Sequence, residues 1–410
     1  MKFLYNFAVF CASILLPIIA IFSKKIKLFI DGRKDTFSKI AALKNEKTIW
    51  FHAASLGEFE QARPIIEELK KKYKNYKILV TFFSPSGYEV RKHYNLADVV
   101  CYLPLDSKKK SKIFIEALNP TLAIFIKYEF WPNLLQELKK KEIKTILVSG
   151  ILRKNQLFFK SYGGFMRRSL ESFHHFFVQD NTSKELLSSI NFTNATVAGD
   201  TRFDRVLEIL GQDNSLDFIN EFKDNKYTIV AGSTWKEDEE LLIHYINNEA
   251  TKDEKFIIAP HNIKNDAILS FKKAINKKNV LYSEKEGKNL SDKQVFIIDT
   301  IGILTKVYAV ADIAYVGGGL KTGLHNILEP ATFGIPVVIG NQYDKFKEAV
   351  DLVKIGGCIS IHNQQEFTEN FKALKEDENF RKLTGVINKK YIEHHLGATK
   401  LVMNYLKTQL

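Results

Sequence analysis

From Lys47 onward the chain alternates short apolar runs with longer amphipathic stretches. TIWFHAA, KILVTFF, VVCYL, LAIFIKY, KTILVS and FFVQ come first, and a second series, YTIVAGS, KFIIAP, QVFIID, DIAYVGG and PVVIG, begins at Tyr227. Apolar runs of roughly four to eight residues separated by helical patterns predict parallel sheets built from β-α-β units. Two series predict two doubly wound, Rossmann-like α/β domains facing a cleft, residues 31–205 and 206–385. The joint falls between Val206 and Asn225, where ILGQDNSLDFINEFKDN mixes polar residues, glycine and weak periodicity. The chain from about Glu376 has a helical pattern, and residues 386–410 are expected to form a helix packed back on the first domain.

One apolar run is of another kind. Phe3 to Phe22, FLYNFAVFCASILLPIIAIF, carries no charge and matches the ~20 residues that cross a bilayer. Lys2 precedes it, whereas Lys24, Lys25, Lys27, Arg33 and Lys34 follow, and a basic downstream flank stays cytoplasmic. Residues 1–30 are therefore expected to be a membrane anchor with a basic flank, holding cytosolic domains to the membrane. A cleaved signal peptide is the rival, but its basic n-region would be thin and no A-x-A-like site closes the run. Pro17 can kink such a helix, so a shallow, non-spanning insertion stays open.

Composition sharpens this picture. The chain of 410 residues has a formal net charge of +13, and residues 1–205 hold 34 Lys/Arg against 19 Asp/Glu, so this half is +15 and the remainder −2. A basic half suits nucleic acid, an anionic membrane or an anionic substrate. Solvated lysine-rich helix faces such as Lys70–Lys72 and Lys139–Lys141 account for part of it. Aromatic residues do not interleave the basic patches as stacking platforms, so nucleic acid is not expected. Cys11, Cys101 and Cys358 are far apart and fit a reducing compartment.

In open parallel sheets ligands bind beyond the carboxyl ends of the strands, so chemistry is expected in the loops that follow them. After TIWFHAA comes Ser55-Leu56-Gly57, a tight turn, then Glu58 at the start of a helix. An acidic side chain there is stabilised by the helix dipole by ~0.3 to 1 kcal/mol; equally, a carboxylate beside small residues can act as a base. Ser84-Pro85-Ser86-Gly87 has the composition of a cap and turn. Lys127-Tyr128-Glu129-Phe130-Trp131-Pro132-Asn133 places a lysine and a glutamate at the end of a very apolar strand, where charges need partners or a task.

In the second series Ser233 and Thr234 follow a strand and precede KEDEE; they either hold a phosphate or cap the helix. Pro260-His261 follows KFIIA. Gly317-Gly318-Gly319 permits close backbone approach. His325-Asn326 opens the helix ILEPATFG, whose amides attract an anion, while Glu329 can accept both hydroxyls of a ribose. Amides for phosphate beside a carboxylate for ribose describe a nucleotide site lacking a Walker lysine and a G-x-G-x-x-G fingerprint. With no HExxH, CxxC or Asp-x-Asp pair, the expected chemistry uses neither metal nor cofactor.

Several loops together resemble those of the 3-deoxy-D-manno-octulosonic acid (Kdo) transferases. HAASLGE is similar to that family's HAxSxGE, KYEFWPN to ETELWPN and AGDTRFD to GNLKFD, and AGST, DTIG, YVGGGL and HNILEPATFGIPVV follow in order. The resemblance implies a GT-B glycosyltransferase at the cytoplasmic face of the inner membrane, metal-independent and inverting, moving Kdo from CMP-Kdo to a lipid A precursor in lipopolysaccharide assembly. It assigns Glu58 as the catalytic base and Glu129 and Arg202 to transition-state stabilisation. CMP contacts fall on Pro260 and His261, on Ile301, Gly302 and Ile303, and on Asn326, Ile327, Leu328 and Glu329. The chain departs from the family pattern at Lys127 (a glutamate in ETE), Arg202 (a lysine in NLKFD), His261 (an arginine in PR) and Ile303 (a glutamate in MGE). The alternatives are another GT-B-like nucleotide-sugar enzyme such as an epimerase, and a non-catalytic membrane-tethered glycan binder.

Overall fold

A computed structural model describes all residues, 1–410. The chain forms two compact units, Met1–Asp204 with Leu396–Leu410, and Arg205–His395. In the first, β1 (Thr48–Ala53), β2 (Lys77–Phe82), β3 (Val99–Tyr102), β4 (Leu122–Ile126), β5 (Lys144–Gly150), β6 (His175–Val178) and β7 (Ala195–Val197) form a parallel sheet of order β3-β2-β1-β4-β5-β6-β7. In the second, β8 (Tyr227–Thr234), β9 (Glu254–Pro260), β10 (Asn279–Leu281), β11 (Val295–Ile297), β12 (Ile313–Val316), β13 (Val337–Gly340) and β14 (Cys358–Ile361) form another, of order β10-β11-β9-β8-β12-β13-β14. Both are doubly wound. Their central strands are largely apolar because helices cover both faces; every residue of β1 and β4 is buried.

In a doubly wound sheet the winding reverses between two central strands, and the loops after those strands diverge to leave a crevice. The reversal lies between β1 and β4, paired from Ile49↔Leu122, and between β8 and β12, paired from Ile313↔Ile229. The loops holding Glu58 and Glu129 follow β1 and β4. Those holding Ser233-Thr234 and Gly317–Glu329 follow β8 and β12.

Three strands, β7, β10 and β14, lie at sheet edges, and their short, partly polar segments ATV, NVL and CISI were not legible as apolar runs. The segment of weak periodicity contains two helices, Arg202–Leu210 and Asp217–Lys223, and the chain passes from the first unit to the second within the former. The C-terminal segment also differs from expectation. The helix Glu378–His394 belongs to the second unit, where Asn388 donates to Ile335 and Gly357 carbonyls at 2.7 and 2.8 Å. Only after Gly397, at φ 106°, does the helix Ala398–Leu406 begin, and it buries Val402, Met403 and Leu406 in the core of the first unit.

Candidate functional site

The helix after β1 runs Leu56–Lys72, so Gly57 lies inside its first turn and Glu58 is its third residue. Glu58 is only 6% exposed. Its Oε2 accepts from Ser55 N at 3.1 Å and from the Ser55 hydroxyl, the capping-box pattern that satisfies an otherwise unpaired amide. Its other oxygen, Oε1, has the Lys127 ammonium at 3.9 Å. The helix cap and the lysine contact thus fall on different oxygens of one carboxylate. Gly87, in the helix Pro85–Arg91 after β2, is required by packing, since a Cβ there would lie 2.3 Å from the Phe82 ring and 2.9 Å from Ser55 backbone carbon.

Lys127 follows β4 with φ 67°, and this left-handed turn lifts the chain off the sheet before Pro132 starts the helix Pro132–Lys140. Glu129, 8% exposed, faces His52, a fully buried residue of β1. Glu129 Oε2 lies 3.3 Å from His52 Nε2, and the Trp131 indole N–H reaches both, at 3.0 Å to Glu129 and 3.1 Å to His52. The Tyr128 phenol between the motifs is pushed up by burial and then by Glu58 and Glu129, so both carboxylates act on one short loop.

Arg202 opens the helix after β7 and forks onto Asp200 through Nε at 3.0 Å and Nη2 at 2.8 Å. Asp200 is also held by Gln61 Nε2 at 2.8 Å, one helical turn beyond Glu58. Burial works to raise the Asp200 carboxyl, but Arg202 and Gln61 outweigh it and hold it below the usual carboxylate range. The Arg202 guanidinium is therefore engaged by Asp200, and the pair carries no net charge.

In the second unit the helix after β8 is Lys236–Asn248, and its N-cap is Trp235. Neither Ser233 nor Thr234 caps it. Ser233 turns the chain at φ 56°, and Thr234 is buried, donating to Glu239 at 3.3 Å. Asp238 organises the loop, accepting from Trp235 N at 2.8 Å, Gly318 N at 2.9 Å and Tyr315 hydroxyl at 2.7 Å. The triple glycine serves this packing: a Cβ on Gly317 would meet Ser233 O at 2.5 Å, and one on Gly319 would meet Gly340 N at 2.9 Å.

Glu329 is engaged at both oxygens, by Thr305 hydroxyl at 2.6 Å and Asn326 Nδ2 at 3.0 Å. The bond to Thr305 brings the Ile301-Gly302-Ile303 turn, with Ile301 exposed and Gly302 at φ 100°, to the Asn326–Glu329 segment. The expected helix is shorter than its sequence pattern, Leu328–Thr332, and Asn326 Oδ1 already accepts from Leu328 N at 3.2 Å. Ile327 and Leu328 are buried core residues and offer a ligand only their backbone. No three His, Cys, Asp or Glu side chains are grouped to hold a metal ion.

Two ring clusters were not foreseen. Trp235 stacks on His261, with centroids 4.5 Å apart, and His325 lies 4.5 Å beyond His261 while accepting from the Trp235 indole at 3.0 Å. Burial, with His261 alongside, pushes the His325 imidazole down to about 4. The three rings come from loops after β8, β9 and β12. The second cluster is His52 with Trp131. A histidine inside a strand motif was its only signal, and the distance of 79 residues between partners hid the contact.

A family model described as 3-deoxy-D-manno-octulosonic-acid transferase (kdotransferase) matches residues 31–205. A bifunctional glycosyltransferase/methyltransferase of Fusobacterium nucleatum is 30% identical over 94% of this chain, which spans 62% of that relative's length. A 3-deoxy-D-manno-octulosonic acid transferase of Rickettsia typhi is 27% identical over 88% of this chain and 79% of its own. The fold is shared with the UDP-GlcNAc 2-epimerase of Neisseria meningitidis at a TM-score of 0.60 and 14% identity, over 88% of this chain and 100% of that one.

Proposed function

We propose that the chain is a Kdo transferase that moves Kdo from CMP-Kdo to a lipid A precursor, a reading supported by the family model over residues 31–205 and by relatives aligned along most of its length. The observation that carries this reading is the pair of buried carboxylates, Glu58 and Glu129, on the two loops where the first sheet reverses its winding.

The acceptor is a sugar hydroxyl, a weak nucleophile until its proton is removed. Glu58 Oε1 takes that proton as the acceptor oxygen bonds to the anomeric carbon of Kdo, while Oε2 stays fixed by Ser55 and holds the carboxylate in one orientation. The bond from the anomeric carbon to the CMP phosphate oxygen breaks on the opposite side, so the configuration inverts. Glu129, oriented by Trp131 and His52, and Arg202 with Asp200 stabilise charge that develops on the sugar and its carboxylate. The second unit holds the nucleotide: Glu329 accepts from ribose hydroxyls in exchange with Thr305 and Asn326, and the loops at Ser233-Thr234, Pro260-His261 and Ile301–Ile303 surround the phosphate and base. The lysine- and arginine-rich first half, +15 over residues 1–205, suits a phosphorylated acceptor in a membrane, and the N-terminal helix anchors the chain at the cytoplasmic face of the inner membrane.

The test is transfer from labelled CMP-Kdo to a lipid A precursor, with EDTA present. The wild type transfers label and Glu58→Gln loses at least about 100-fold, the lower range for removal of a general base. Absence of transfer by the wild type overturns the reading, and undiminished transfer by Glu58→Gln overturns the role of Glu58.

A further inference from the structure

The helix Lys2–Phe22 is about 30 Å long and as apolar as a membrane span, with mean hydropathy 2.2 over its best window and none of that window buried. Its length fits either a crossing of the ~30 Å hydrocarbon core or a position along the membrane surface. Its two ends separate these possibilities.

The N-terminal end is fastened to the first unit. Tyr5 hydroxyl donates to Asp106 Oδ2 at 2.6 Å, Asn133 Nδ2 donates to Asn6 Oδ1 at 3.0 Å, and Lys2 Nζ reaches Gln136 at 3.2 Å. Asp106 is no surface acceptor. It is 4% exposed and also takes Asn133 N at 3.0 Å, Leu134 N at 2.8 Å and Ser111 hydroxyl at 2.9 Å. At the other end Ser23 breaks the helix in an extended conformation, and the next helix, Lys24–Asp31, buries Phe29 against Phe83 with rings 5.2 Å apart. Arg33 locks that contact, donating to Leu103 O at 2.9 Å and Phe83 O at 2.7 Å.

Both ends of the apolar helix are thus held by the same globular unit, whereas a spanning helix would carry its N-terminus to the far side of the bilayer. Along its length Tyr5, Val9, Ala12, Leu16 and Ala20, spaced three and four apart, are half-buried, while Phe3, Phe7, Phe10, Ile14, Ile18 and Phe22 are exposed. One face therefore turns inward and a wide apolar face remains outside, followed at once by the cations Lys24, Lys25 and Lys27. An apolar face beside a lysine cluster is the surface that an anionic leaflet takes up.

We propose that this helix lies in the plane of one membrane leaflet, clasped to the first unit through Tyr5 and Asp106, and does not cross the bilayer. This rests on the membrane-anchored reading above. It places Asp106 as the common partner of the membrane helix and of the amides that start Pro132–Lys140, the helix after the Glu129 loop.

The test uses the full chain in a bacterial inner membrane, with Cys11→Ala, one introduced thiol from Lys2→Cys or Lys25→Cys beside the buried Cys101 and Cys358, and a membrane-impermeant maleimide; the Cys11→Ala chain without the introduced thiol gives the background. Both thiols are expected to react in everted vesicles and neither in spheroplasts. Reaction of Lys2→Cys from the spheroplast side only overturns the in-plane helix and leaves the anchor standing. A chain that fails to sediment with membranes overturns the anchor and the inference together. Tyr5→Phe, a change that spares the core, is expected to speed labelling at Lys2→Cys severalfold; an unchanged rate removes the clasp.

Discussion

Ser55 and Glu58 satisfy each other across the first turn of the helix Leu56–Lys72, the Ser55 amide at 3.1 Å from Glu58 Oε2 and the Ser55 hydroxyl on the same oxygen. The residue proposed as base is thus also a helix cap, and an alanine substitution would confuse the two roles. Glutamine retains a side-chain carbonyl for the Ser55 amide but cannot take a proton at neutral pH. Glu58→Gln is expected to unfold in urea within about 0.5 kcal/mol of the wild type while losing transfer. Glu58→Ala is expected to lose transfer and also about 1 kcal/mol of stability. Equal stability losses in the two variants would show that the cap is not what Glu58 contributes to folding.

His52, Trp131 and Glu129 pose a donor shortage. Trp50 Nε1 donates to Thr81 hydroxyl at 2.8 Å and that hydroxyl donates to Phe51 O, so His52 Nδ1, 2.9 Å from the same hydroxyl, is the donor there. In the neutral ring Nε2 is then an acceptor, and the Trp131 N–H bridges it to Glu129. Trp131→Phe leaves two buried acceptors facing each other and is expected to cost about 1 to 3 kcal/mol, with transfer reduced more than tenfold. Glu129→Gln, whose amide can donate to Nε2, is expected to keep stability near wild type while transfer falls. Thermal unfolding paired with transfer rates checks both.

The strands that cross the middle of each sheet were legible because burial on both faces leaves an uninterrupted apolar run, as in LAIFI and FIIAP. The edge strand Ala195–Val197 was not, since its three residues, ATV, are only partly buried and include a threonine, so they leave no apolar run. Glu58 and Glu129 were legible because a charge at the end of an apolar strand breaks a local pattern. Their partners were not. The bond from Gln61 to Asp200 spans 139 residues and that from Trp235 to His325 spans 90, and only the fold brings such pairs together. The triple glycine was legible as a point of close backbone approach, but its partners, the Ser233 and Gly340 backbone, were not.

Two groups in the second unit give opposite pH signatures. Burial pushes the Glu239 carboxyl up to about 7, so between about 4.5 and 7 the folded chain holds a proton that the unfolded chain has released, and stability falls as pH rises through this window. His325, pushed down to about 4, is uncharged in the folded chain while the unfolded ring protonates near 6.5, so stability falls as pH drops from about 6.5 to 4. The two slopes, each at most about 1.4 kcal/mol per pH unit, oppose each other in the same range. Relative to wild type, Glu239→Gln is expected to steepen the loss on acidification between pH 6.5 and 4.5, and His325→Gln to lessen it. Urea midpoints across this range measure the difference, and parallel curves for all three proteins would refute it.

The return of the chain to its first unit depends on one carboxylate. Asp204 accepts from Gly397 N and Thr399 N, both at 2.6 Å, across about 195 residues of sequence, and so caps the start of Ala398–Leu406 from outside that helix. Gly397, the residue before the helix, has a φ of 106° and cannot supply a side-chain cap. Beyond the cap, Val402 and Leu406 are fully buried among residues of the first sheet and its helices. Asp204→Ala is expected to cost about 1 to 2 kcal/mol, with Asp204→Asn recovering part because its carbonyl still accepts one amide. Leu406→Ala is expected to cost about 2 to 5 kcal/mol, being a buried truncation. Hydrogen exchange separates the two effects. Asp204→Ala should raise exchange at the first turn, 398–401, whereas Leu406→Ala should raise it through the whole helix and in the neighbouring turns of Leu56–Lys72, against which the helix packs. Uniform exchange in both variants would mean that the cap does not govern how this segment docks.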